Sequence, residues 1–136
     1  TRPEMKRAAA KYKESMTVVG SVSDLRPYRE QASFFVNPMR LGSGLRIKIL
    51  EAMATGLPVV TTALGAAGIP AQNGANCFVA DTPELFVQSI DWLITDERLS
   101  RKMGRRAREM VKDRYNIHST ISELELVLSE VVSIQS

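Results

Sequence analysis

Gly42-Ser43-Gly44 stands directly before a run of helix formers, with three cations, Arg40, Arg46 and Lys48, close around it. Glycines let a backbone approach an anion closely, and the first amides of a helix have no partner within it. The helix dipole favours negative charge at the same end. A phosphate or diphosphate is the natural guest, held by the amides of Gly42, Ser43, Gly44 and Leu45 with Arg46 and Lys48 neutralising its charge. Arg46 falls in the first helical turn, where a cation is unfavourable unless an anion is present. The alternative is a tight strand-to-helix turn without a ligand, its cations on a solvated face. For Lys48 a second alternative is an i,i+3 pair with Glu51, worth about 0.2–0.5 kcal/mol.

Glu51 follows Leu45 by six residues, about 9 Å along a helix. That is the order of distance between a diphosphate and the ribose hydroxyls of one nucleotide. Helical side chains lean toward the N-terminus, which carries Glu51 back toward the loop. A carboxylate accepts from two neighbouring hydroxyls at once. Its neighbours Leu50, Ala52, Met53 and Ala54 are apolar, so a charge left unpartnered among them is costly.

The elements that must position these residues alternate. Residues 4–14 read as a helix, Thr17-Val18-Val19 as a short strand stopped by Gly20, and Leu25, Tyr28 and Ala32 as one face of a helix capped by Ser23 or Asp24. Ser33 to Val36 reads as a strand ending at Pro38, and about Leu45 to Thr55 as a helix ended by Gly56. Pro58 to Thr61 and Cys77 to Ala80 are further strands, with a glycine-punctuated loop from Gly65 to Gly68. Thr82-Pro83-Glu84 starts a helix, and Asp96 caps the next, which turns Leu99, Met103, Ala107, Met110 and Val111 inward. A last helix, from about Ser119, carries Ile121, Leu124, Leu128 and Val131, with Thr120 and Glu123 at capping-box spacing.

Strands that are apolar without alternation, interleaved with helices, predict an α/β fold: a parallel sheet with helices on both faces. Ligands of such sheets bind beyond the carboxyl ends of the strands. That puts Gly20–Ser21, Pro38–Gly44 and Thr62–Gly68 on one rim.

The 136 residues suit one domain; 44% are apolar and 24% charged, ordinary for a soluble globular chain. No apolar run approaches the roughly 20 residues of a membrane span. A single cysteine, Cys77, excludes an internal disulfide and reads as a small core residue, consistent with a cytoplasmic setting. His118 is the only histidine and reads as a surface residue; no metal-ligand cluster occurs, and no metal or cofactor is expected. Trp92 reads as a partly covered helix aromatic. The net charge of +3 is uneven: residues 98–114 hold eight Lys/Arg against two acidic residues. Nucleic acid is a poor prospect, because aromatic interleaving and known motifs are absent. Arg101, Arg105, Arg108 and Lys112 share one helical stripe, which reads either as a solvated face or as a contact with anionic lipid headgroups at the cytoplasmic side of a membrane.

The run NPMRLGSGLRIKILEAMATGLPVVTT resembles the donor-binding motif of GT-B glycosyltransferases, specifically the large retaining family 4. The resemblance extends from VVGSVSDLRPYREQASFFVNP through GAAGI and NCFVAD to the DTPELFVQSI helix. It implies a Rossmann-like sheet, the C-terminal half of a GT-B fold, binding a nucleoside diphosphate sugar. In that family a glutamate in the LEAMA position binds the donor ribose, and it falls on Glu51. A second glutamate, eight residues earlier, contacts the donor sugar in many members; that position is Ser43 here, so the sugar contact passes to loop amides and Ser43. Gly20, Ser21 and Val22 resemble the segment lying against the nucleobase; the alternative is a strand-ending turn. Residues 1–136 are thus expected to form one truncated donor-binding domain, without the N-terminal acceptor domain and inactive alone. Its role in the whole enzyme would be electrostatic, stabilising the leaving diphosphate. A sugar-nucleotide 2-epimerase of the same architecture and a non-catalytic α/β interaction module are the alternatives.

Overall fold

The computed structural model describes residues 3–44 and 46–116. Leu45, His118 and the helix expected from Ser119 lie outside the described residues. The elements run α1 (Pro3–Lys11), α2 (Arg26–Gln31), β1 (Phe35–Asn37), α3 (Ile47–Ala54), β2 (Val59–Thr61), α4 (Ala63–Ala66), β3 (Phe78–Val79), α5 (Pro83–Thr95) and α6 (Glu97–Arg114).

Local chemistry sets most of these boundaries. Thr82 Oγ1 accepts from the Leu85 amide at 3.2 Å and opens α5, with Pro83 at its first position. Asp96 ends α5 and caps α6, its Oδ1 accepting from the Leu99 amide at 3.0 Å. At the end of α3 the Gly56 amide donates to Met53 O at 2.9 Å and the Leu57 amide to Ala52 O at 3.1 Å. Those two bonds make a Schellman motif, which satisfies the carbonyls of the last helical turn.

The three strands form one parallel sheet in the order β1-β2-β3. Phe35 pairs with Val59 and Asn37 with Thr61; Val60 pairs with Phe78 and Thr61 with Val79. Successive side chains on a strand face opposite sides. Val59 packs with Ile49, Ala52 and Met53 of α3 and Ala107 of α6, while Val60 packs with Leu93 of α5 and Met103 of α6. The sheet is therefore covered on both faces, as expected.

Three local expectations differ. Thr17–Val19 forms no strand, and Val19 is half exposed. Its β-branched residues favour extended backbone, but a strand exists only through a paired neighbour, and this run has none among the described strands. The loop expected at Gly65–Gly68 begins inside α4, because Thr62 Oγ1 accepts from the Gly65 amide at 3.0 Å and winds one helical turn. Neither Ser23 nor Asp24 is the N-cap of α2, which is Leu25; Asp24 instead accepts from the Arg26 amide at 2.9 Å and pairs with the Arg26 guanidinium.

Candidate functional site

The register brings the carboxyl ends of the strands level, and side chains tie the loops that leave them. Thr61 Oγ1 donates to Asn37 O at 3.2 Å, joining the last residues of β1 and β2. Thr62 Oγ1 donates to Met39 O at 2.6 Å while accepting from Gly65, so one hydroxyl links the glycine loop to α4. Asp81, just beyond β3, accepts from the Ala63 amide at 2.9 Å through Oδ1. All three strand ends thus meet around Thr62–Gly65.

The glycine loop fills the gap between β1 and α3. Gly42 has φ +128° and Gly44 φ +89°, both in the left-handed region that other residues rarely adopt. Residues 41–44 are exposed, and among the described residues the amides of Gly42, Ser43 and Gly44 donate to no protein group. The α3 helix starts without a side-chain cap, its N-cap being Arg46. Free amides and an open helix N-terminus therefore face solvent together at the strand ends.

Arg46 does something the sequence did not suggest. It is buried, 8% exposed, and its guanidinium turns into the loop. Nη1 donates to Gly44 O at 2.8 Å, and Nη2 donates to Gly42 O at 3.2 Å and Leu64 O at 3.4 Å. Its partners are neutral carbonyls, and its Nε is buried without a partner among the described residues. A buried cation compensated only by dipoles keeps the loop positive, and anions are favoured there.

Glu51 lies on the side of α3 that faces α2, where its Oε2 accepts from Arg29 Nη1 at 2.8 Å. The partner that its apolar surroundings call for is thus Arg29, twenty-two positions earlier. Lys48 is exposed and borders a small apolar cleft with Leu25, Tyr28 and Arg29; it makes no ion pair with Glu51 among the described residues. Ser21 and Val22 line a cleft together with Asp24 and with Pro27 and Tyr28 of α2. The structure therefore joins the loops after β1 and β2 directly, whereas no hydrogen bond among the described residues ties Gly20–Val22 to them. On α6, Arg101, Arg105, Arg108 and Lys112 are all exposed, Arg101 pairing with Glu97 one turn earlier.

Arg29, Asn37 and Asp81 were not singled out as site residues from sequence, and Thr62 and Leu64 were placed on the rim only as part of Thr62–Gly68. Asp81 and Thr62 had a signal, since each directly follows a strand and polar residues there face the ligand rim.

Comparison with known proteins fits this geometry. The model of the family described as Glycosyl transferases group 1 matches residues 1–96. This chain belongs to that family. It is 38% identical over 89 residues to N-acetyl-alpha-D-glucosaminyl L-malate synthase of Bacillus anthracis, covering 62% of this chain and 23% of that protein. It is 31% identical over 90 residues to a 44.6 kDa protein of the Klebsiella pneumoniae cps region, covering 64% of this chain and 23% of the relative. The chain thus spans about a quarter of the length of these relatives. Among solved structures, the C-terminal domain of a glycosyl transferase group 1 protein, LpcC of Francisella tularensis, superposes with a TM-score of 0.69 at 18% identity, over 84% of this chain and 62% of that one. Sucrose-phosphate synthase of Thermosynechococcus elongatus superposes with a TM-score of 0.72 at 18% identity, over 96% of this chain and 34% of that one. The fold is that of a GT-B C-terminal domain, and membership of the family does not favour the epimerase. No described helix is long and apolar enough to cross a membrane.

Proposed function

We propose that this chain is the donor-binding half of a glycosyltransferase that moves a sugar from a nucleoside diphosphate sugar to an acceptor, with retention of configuration. The observation that carries the reading is the exposed glycine loop at the N-terminus of α3, whose amides at 42–44 donate to no protein group among the described residues. The amides of Gly42, Ser43, Gly44 and Leu45 take the diphosphate, and Lys48 adds a mobile positive charge. Arg46 acts on the same anion from behind, through the loop it holds. Glu51 takes the ribose hydroxyls, and Gly20, Ser21 and Val22 lie on the side of the nucleobase. Ser43 stands by the donor sugar.

In the whole enzyme, negative charge builds on the leaving diphosphate as the glycosidic bond breaks. Preorganised amides and a helix N-terminus stabilise that charge without reorganising, and most in a site closed to water. Closure needs a second domain carrying the acceptor. This half asks for no metal, because the charge is met by amides, Arg46 and Lys48.

Titrating UDP, GDP and ADP into the chain while following amide resonances tests this reading. One nucleotide should shift Gly42, Gly44 and Gly65, and Glu51→Gln should weaken it. If none of the three moves those amides, the reading fails.

A second reading concerns placement in the cell. The exposed basic face of α6, including Arg101, Arg105, Arg108 and Lys112, supports a cytoplasmic enzyme held at an acidic membrane surface. Co-sedimentation with phosphatidylserine vesicles, but not with phosphatidylcholine alone, tests it, and equal recovery from both rules it out.

A further inference from the structure

We infer that Arg29 is the positioning residue for Glu51, setting its carboxylate to receive the ribose hydroxyls of the donor; this rests on the reading of Glu51 given above.

The pair is lopsided. The Arg29 side chain is 14% exposed and that of Glu51 46%, with 2.8 Å between Nη1 and Oε2. Taking a guanidinium out of water for one half-exposed carboxylate is a poor route to stability, since exposed ion pairs contribute little and desolvation is costly. The cost is visible in Arg29 Nε, which is buried and bonds to nothing among the described residues. What the pair does achieve is direction. An ionised carboxylate has about four acceptor sites. Arg29 takes one of them on Oε2, and Oε1 has no hydrogen bond among the described residues. The open acceptors suit two neighbouring hydroxyls.

The supports of Arg29 are on different elements from the loop that holds the phosphate. Arg29 sits on α2 and borders an apolar cleft of about 170 Å³ with Leu25, Ala32, Phe35 and Leu57. Its chain neighbour Tyr28 lines a second cleft together with Ser21 and Val22.

Removing Arg29 should erase the recognition of hydroxyls and leave that of phosphate. The probes are UDP, GDP and ADP beside their 2′,3′-dideoxy counterparts, titrated by NMR into wild type, Arg29→Met and Arg29→Lys. Methionine keeps the apolar stem, and Glu51 is exposed enough to regain water. The wild type should prefer the ribonucleotide by about tenfold or more, the scale of hydrogen bonds to a charged group. In Arg29→Met that preference should fall to within about twofold of unity, on the same scale, with dideoxy affinity unchanged. Arg29→Lys should retain part of it, because an ammonium keeps the charge but loses the planar fork. A merely structural Arg29 would weaken both nucleotides alike. An undiminished preference in Arg29→Met overturns the inference while sparing the nucleotide site. Tighter ribonucleotide binding also overturns it, since Arg29 would then be competing for Glu51. A wild type that binds no nucleotide removes both readings. Should Arg29→Met not fold, Arg29→Lys decides: full retention of the preference counts against the inference, and partial loss supports it.

Discussion

Gly104 lies directly against the carbonyl of Gly56. A Cβ at Gly104 would come within 2.1 Å of Gly56 O, so α6 meets the turn that ends α3 backbone to backbone. That approach seats Met103 and Ala107 among the residues buried on the two faces of the sheet.

Gly104→Ala should therefore destabilise the fold by at least about 1–3 kcal/mol, the range for overpacking, because the opposing atom is backbone and cannot swing aside. Urea denaturation measures it. Arg108→Ala, on the exposed side of the same helix, should change stability by less than about 0.5 kcal/mol.

Gly65 is confined by the ends of β1 and β2. A Cβ there would lie 2.1 Å from Thr61 Oγ1 and 3.0 Å from Asn37 Nδ2. Thr61 is buried and its hydroxyl is already bonded to Asn37 O, so it has no free rotation to offer. Gly65→Ala should lower stability and nucleotide affinity together. Adding Thr61→Ala should restore part of the stability despite the lost hydroxyl, a non-additivity that a double-mutant cycle reads directly.

Arg46→Lys should loosen both loops at once. An ammonium cannot span carbonyls as a planar guanidinium does. Hydrogen exchange should speed up in residues 40–48 and 62–66 together, while that of α5 is unchanged. Acceleration confined to one of the two segments would contradict the bracing role.

Burial pushes the Cys77 thiol from an ordinary 9.0 up to about 11, the Gln72 backbone bond offsetting only part. The folded state therefore holds its proton where the unfolded state loses it. Stability is unaffected well below pH 9.0 and declines as pH rises from 9.0 toward about 11. Cys77→Ala should flatten that alkaline decline. Native chain at neutral pH should also react slowly with thiol reagents, and rapidly once unfolded.

What could be read along the chain was whatever neighbours in sequence decide. Thr82 and Asp96 announce α5 and α6 because a cap bonds three residues ahead. Gly56 marks the end of α3 for the same local reason. Val59 and Val60 disclose a strand buried on both faces. The glycine loop was legible as a strand-to-helix connection because its glycines and the helix that follows lie within a few residues. Arg29 and Glu51 were not legible as a pair, since only tertiary packing brings α2 beside α3. Thr17–Val19 misled for the converse reason: propensity is local, but a strand needs a partner supplied from elsewhere. The sequence puts Arg46 beside the loop as a partner for phosphate, whereas two carbonyls of the glycine loop and one of α4 take its guanidinium.

That last arrangement has a mechanical corollary. With Arg46 stitched to Gly42, Gly44 and Leu64, and Thr62 stitched to Met39, the two lips of the cleft form a single jaw. Such a jaw has no internal hinge. The glycine loop should therefore keep one shape in the free chain and in the chain titrated with nucleotide.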